Sequence, residues 1–151
     1  MRLQRGQNDV VLGWLGRSVN VTLDPHTILV WASDGEQILG AVGLGGRMGR
    51  TFGSISIALE TTRVALPLVR AAAILLFGEL HAAAGYVTIG SRRYRWIHSL
   101  KRAIGFKEVD RVRSGMGGSE DLVILKLTPE RCKPYQAELK KWARKAASEV
   151  A

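Results

Sequence analysis

The sequence predicts a mixed α/β domain: a mostly antiparallel sheet with one parallel strand–helix–strand crossover. Three observations predict it. Between residues 27 and 60, apolar segments alternate with Gly- and Asp-containing turns, the pattern of an antiparallel meander. From Pro67 the period becomes helical, and the β-branched segment Tyr86–Gly90 follows, so strand, helix and strand come in series and a right-handed crossover is expected. The last third changes period again, through a basic helix, a hairpin and a terminal amphipathic helix.

Taken in order, Asn8 or Asp9 is placed to cap a short helix over residues 10–18, which Gly13 and Gly16 weaken. Asp24-Pro25 marks a turn. Thr27–Ser33 alternates as a strand, Asp34-Gly35 turns, and Gln37–Leu44 is the hairpin partner. Gly45, Gly46 and Gly49 read as a loop. Thr51–Glu60 is the third strand, with Phe52, Ser54, Ser56 and Ala58 on one face and Gly53, Ile55, Ile57 and Leu59 on the other. Pro67 suits the first turn of a helix that runs over Leu68–Ala84 and ends at Gly85. Ser91 is the expected cap of a helix from Arg92 to Ile104, closed by Gly105. Phe106–Arg113 and Asp121–Leu127 form a hairpin through a Gly-rich loop. Pro129 opens the terminal helix, with Tyr135, Leu139, Trp142 and Ala146 on its apolar side.

The size, 151 residues and 16.5 kDa, fits one domain spanning 1–151. Its core covers about 25–128, and 129–151 form the basic amphipathic tail. A hydrophobic content of 46% excludes a disordered chain, and a single cysteine, Cys132, excludes an internal disulfide. No Cys/His spacing suits a metal, so no metal site is expected. The first residues carry too short an apolar stretch for a signal peptide. The longest apolar run is broken by Arg70, Glu79 and His81, so no membrane span or membrane partner is expected. These readings place the protein in a reducing compartment, the cytoplasm.

Charge is the strongest compositional signal. Lys and Arg total 22 against 13 Asp and Glu, a formal charge of +9. Such a surplus attracts polyanions: nucleic acid, an acidic protein or a phosphate-bearing cofactor. It concentrates at Arg92, Arg93, Arg95, Lys101, Arg102, Lys107, Arg111 and Arg113. Within the helix there, Trp96, Ile97, Leu100 and Ile104 share a stripe with Arg93, while Arg92, Arg95 and Arg102 lie mostly opposite. The expected polyanion contacts are therefore Arg92, Arg93, Arg95 and Arg102, with Tyr94 and Trp96 interleaved, against the plainer reading of a solvated face.

The element order, with the segment YVTIGSRRYRWIHSLKRAIGFKEVDRV, resembles the GNAT (Gcn5-related N-acetyltransferase) superfamily. Gly105-Phe106 holds the place of the Gly-Phe pair that closes a helix and opens a strand there, and Gly40 sits where that family favours glycine. The resemblance covers roughly residues 25–128. It implies splayed central strands holding acetyl-CoA, with the pyrophosphate at the start of the following helix, where amides and the helix dipole favour phosphate. It assigns cofactor contacts to Leu59, Thr61, Thr62, Arg63 and Val64 and a general base to Glu60. The general acid position, a Tyr in the family, falls on Lys101, and the family's Asn position falls on Tyr94.

The sequence departs from that pattern where phosphate would sit. In place of Arg/Gln-x-x-Gly-x-Gly/Ala it carries Arg63-Val64-Ala65-Leu66-Pro67-Leu68, so Leu66 and Leu68 replace small residues and Pro67 removes an amide. Glu60 is alternatively a solvated carboxylate or a partner for Arg63. His26, His81 and His98 lack companions for catalysis, and Cys132 lacks a His/Asp constellation. The Gly-rich residues 40–50 lack the Gly-Lys-Ser/Thr ending of a phosphate loop and join two strands.

The reading adopted from the sequence is a GNAT-like protein with a degenerate acetyl-CoA site and no cofactor, serving as a non-catalytic binding or structural protein. It is similar to small GNAT-like phage internal virion or head-associated proteins, which implies virion association and assembly into a larger particle. The alternatives are an acetyl-CoA-dependent N-acetyltransferase and a nucleic-acid binder through residues 92–102.

Overall fold

The computed structural model describes residues 1–150. The chain folds as two compact units, residues 1–87 and the residues from Thr88 onward.

The first unit holds strands β1 (Arg2–Gly6), β2 (Ile28–Asp34), β3 (Gln37–Met48) and β4 (Thr51–Leu59), and the start of β5 (Ala84–Gly90). Spatial order follows chain order. Neighbours from β1 to β4 are antiparallel, while β4 and β5 are parallel. β1 is a strand the sequence reading missed. Its five residues, RLQRG, hold a single large apolar side chain, Leu3, and are mostly exposed, so they carry no apolar alternation; it is set by pairing with β2 and by Trp31 donating its indole N–H to Gln4. β3 runs four residues beyond the expected Leu44. Pairing with β4 carries the strand through Gly45 and Gly46, and the turn falls at Gly49-Arg50.

Helix α1 (Asp9–Val19) begins at Asn8, whose side chain accepts the N–H of Val10 and Val11, and ends at Asn20 in the left-handed region. It lays Val11 and Leu15 on Leu29, Trp31 and Ala41, with Leu12, Trp14 and Leu23 around them. On a second cluster Val64 packs with Ala32 and Leu39. Because β2 alternates Leu29 and Trp31 with Ala32, these clusters cover its two faces, which explains why ILVWAS is apolar throughout.

Helix α2 (Ala65–Ala73) is preceded by a tight turn at Thr62–Val64 and continued by a widened π turn at Ile74–Glu79. It begins and ends earlier than expected. Alanines 82–84 favour helix, yet His81 takes a positive φ of 53° and Ala83 donates its N–H to Arg50. Parallel pairing of Ala84 with Thr51 then starts β5, so tertiary pairing overrides propensity.

The second unit carries α3 (Tyr94–Ser99, continued as a π turn over Leu100–Ile104), β6 (Lys107–Val112), β7 (Leu122–Leu127) and α4 (Lys133–Val150). β6 and β7 pair antiparallel with an irregularity at Glu108/Asp110. Ser91 does not cap α3; its hydroxyl accepts the Asp121 N–H instead, and the Glu120 carboxylate accepts the Arg92 N–H. α4 starts at Lys133, four residues later than expected, because Arg131 and Cys132 turn back to donate to the Thr128 carbonyl. Pro134 then lies in the first turn, where proline is tolerated. Among the described residues no helix is long and apolar enough to cross a membrane.

Candidate functional site

The site is built on the end of β4 and the turn after it. The β4–β5 pairing is confined to Thr51↔Ala84 and Phe52↔Gly85, although β4 continues to Leu59. The strands thus part after two rungs. At the last rung the approach is close: a Cβ on Gly85 would stand 2.4 Å from the Ile55 side chain, so β5 passes this point only as glycine. From Gly53 onward β4 pairs with β3 on one edge, to Gly40↔Leu59, and not with β5 on the other.

β4 hands over to Glu60, whose N–H donates to the Leu39 carbonyl at 2.9 Å. Its residue is exposed, and among the described residues its carboxylate makes no hydrogen bond or ion pair, not even with Arg63. Thr61 is extended and caps the turn, its hydroxyl accepting the Arg63 N–H at 3.3 Å. The Ala65 N–H donates to the Thr62 carbonyl. Thr62 and Arg63 face solvent, Val64 is fully buried, and Leu59 and Thr61 are half-buried.

The two leucines expected to crowd a phosphate have different fates. Leu68 is fully buried and reaches Gly40, where a Cβ would stand 3.2 Å from it. It forms core and is out of a ligand's path. Leu66 is 61% exposed at the first turn of α2 and remains where the resemblance requires glycine. Pro67 is the third residue of α2 and so lies in its first turn as expected, with a tight turn at Thr62–Val64 ahead of it.

An acyl-CoA diphosphate needs several unpaired amides at close backbone approach. Here two of the amides at the start of the helix, those of Arg63 and Ala65, are already engaged, Val64 is inside the core, and the next position is the exposed Leu66.

The remaining candidate residues belong to the second unit. Lys101 is half-buried, its ammonium 3.4 Å from the Glu108 carboxylate. Glu108 also accepts from Arg111 at 3.0 Å, and this hydrogen bond, with the two cations' charge, holds its carboxyl below the ordinary carboxylate value. Arg92, Arg93, Arg95 and Arg102 are all exposed, while Ile97 and Leu100 are buried, so the stripe and its basic opposite are as the spacing implied. Tyr94 is 65% exposed with the Arg95 guanidinium 6.0 Å from its ring centre, whereas Trp96 is half-buried. Cys132 is buried, which pushes its thiol up, opposite to an activated nucleophile.

Three features escaped the sequence: the Thr61 cap, the Glu120 carboxylate at Arg92 and the Lys101–Glu108–Arg111 network. A Thr ahead of a helix is a readable capping signal, whereas Glu120 reaches Arg92 from 28 residues away; the network is local, Glu108 and Arg111 lying three residues apart on β6 and Lys101 meeting Glu108 across the Gly105-Phe106 junction. Among the described residues no three His, Cys, Asp or Glu side chains gather as a metal site. A groove of about 610 Å³ runs along α1, lined by Asp9, Gly13, Arg17 and Asn20, and none of Leu59–Val64 lines it.

No protein-family model and no curated protein matches the chain. Solved structures do. A chimera of the Vibrio cholerae spermidine N-acetyltransferase SpeG and hSSAT superposes with a TM-score of 0.67 at 12% identity, over 86% of this chain and 97% of that one. A Salmonella typhimurium protein assigned as an acetyltransferase and solved with its cofactor acetyl-CoA gives 0.64 at 11%, over 85% and 94%. A Desulfovibrio desulfuricans protein assigned to the GNAT family gives 0.62 at 14%, over 84% and 98%. The fold is that of the GNAT acetyltransferases. Identities this low establish the GNAT fold alone, and on a shared fold function has to be argued from the site.

Proposed function

We propose that this chain uses the GNAT fold as a scaffold for binding a polyanion and does not transfer acetyl groups. The observation that carries the reading is the self-capped turn at Thr61–Ala65 beneath the exposed Leu66, which leaves a diphosphate too few amides. The binding function falls to Arg92, Arg93, Arg95 and Arg102, all exposed, the first three within two residues of the exposed Tyr94. Guanidinium groups beside an uncovered aromatic ring supply phosphate contacts and a stacking surface, the chemistry that single-stranded nucleic acid requires. Such a partner is compatible with a place in a nucleic-acid-containing particle.

Fluorescence anisotropy with a labelled oligonucleotide across a salt series tests this. Affinity should fall steeply with salt, and changing the four arginines to Gln should flatten the log–log slope by about 0.7 for each phosphate no longer neutralised. An unchanged slope would remove the assignment.

One observation favours a second reading, an N-acetyltransferase with Glu60 as base and Lys101 as acid: β4 and β5 part after two rungs, leaving the β4 edge open. Steady acetylation of a polyamine or peptide amine by the chain, abolished in Glu60→Gln, would establish it over the first.

A further inference from the structure

The second half of α4 carries a pattern that nothing in the chain uses. Half-buried residues in α4 end at Leu139, and from Lys140 to Val150 every residue is exposed. These eleven residues are the outer part of the 18-residue α4, and their side chains lie mostly in solvent. At 100° per residue, Trp142, Ala143, Ala146 and Val150 continue the side begun by Leu139, while Lys140, Lys141, Arg144 and Lys145 fill the opposite side. Glu149 is the single acid in the segment. Trp142, at 44% exposed, is its one large apolar anchor.

We infer that residues 140–150 are a docking helix for an acidic protein, with Trp142 seated in an apolar groove and the cations facing an acidic rim. This goes beyond the polyanion site on α3 and does not depend on it. The two-sided pattern selects the occupant. Nucleic acid would use the cations and leave the apolar side in water. A second copy would set four cations against four. A membrane would gain little, because two of the four apolar-side residues are alanines with a single methyl group to bury. A groove with an acidic rim uses both sides, which is the helix-in-groove mode of recognition.

The test titrates the full chain with calcium-loaded calmodulin, an acidic protein whose apolar grooves accept such helices. The readout is the emission of Trp142, taken as the difference between the chain and its Trp142→Phe variant. A saturable blue shift is expected with Kd on the order of micromolar, weakening about tenfold or more between low and physiological salt. Reversing Lys140, Lys141, Arg144 and Lys145 to Glu should abolish it while moving the melting temperature by no more than a few degrees, since all four side chains are exposed. Three results overturn the inference: no Trp142 signal at about 100 times the expected Kd; a larger Trp142 shift with single-stranded DNA or phosphatidylglycerol vesicles; or a chain ending at Leu139 that melts well below the full one, which would make the segment structural.

Discussion

Replacing Gly105 with Ala perturbs the one backbone position on which the Gly-Phe pair depends. Gly105 has φ of +112°, outside the regions open to L side chains, and a Cβ there would stand 1.9 Å from the Arg131 carbonyl oxygen. Real Cβ contacts do not fall below 3.0 Å, so something must move by at least 3.0 − 1.9 = 1.1 Å. The obstructing atom is backbone and is tethered: Arg131 donates its Nε–H to the Gly105 carbonyl at 3.1 Å and its N–H to Thr128, and the adjacent Cys132 is fully buried. The positive φ costs about 1–2 kcal/mol and the forced displacement about 1–3 kcal/mol more, together about 2–5 kcal/mol. Gly118→Ala is the matched control, with φ of +60° but nothing within 4 Å, so that only the backbone cost applies. Urea unfolding followed by circular dichroism separates the two. At a slope of about 2 kcal/mol/M, Gly105→Ala should lower the midpoint by roughly 1–2.5 M, well beyond the control. Equal midpoints for the two variants would refute the reasoning.

Two further outcomes follow from the site and its surroundings. Glu108 is held below its ordinary value of 4.5 chiefly by Arg111, so its folded form binds a proton less readily than the unfolded form. Its contribution is therefore complete above that ordinary value and is lost as pH falls through and below it; in urea titrations between pH 7 and 3, Glu108→Gln should show a shallower acid loss than the parent chain, and an equally steep loss would contradict this. Leu66→Gly combined with Thr61→Ala uncovers the turn after β4 and frees the Arg63 N–H, at a cost of about 1 kcal/mol for each change. If that turn is what excludes CoA, the double variant should bind acetyl-CoA at least tenfold more tightly by calorimetry, and no gain would point elsewhere.

The fold was legible wherever period and punctuation agreed. The meander from β2 to β4, the crossover helix and the Gly105-Phe106 junction lie close to their expected places, because burial on both faces and glycine geometry leave marks in the sequence. β1 was not legible, since an exposed edge strand of mostly polar residues has neither mark. Two of the shifted helix ends share another cause: Ser91 and the alanines 82–84 follow long-range partners (Asp121 and Arg50) that no local window contains, whereas Arg131 follows a local turn back to Thr128. In the candidate site the residue types were readable but not their directions. Leu66 and Leu68 look alike in sequence, and only the helical start at Thr62 sends one to solvent and the other to Gly40.

The most direct measurement is the melting temperature of the intact chain during an acetyl-CoA titration up to about 1 mM. A ligand bound at about 10 μM would add roughly 2.7 kcal/mol there, which for a chain of this size raises the melting temperature by about 5–10 °C. The self-capped turn predicts no saturable rise; a rise of that size, accompanied by turnover on an amine, would contradict it.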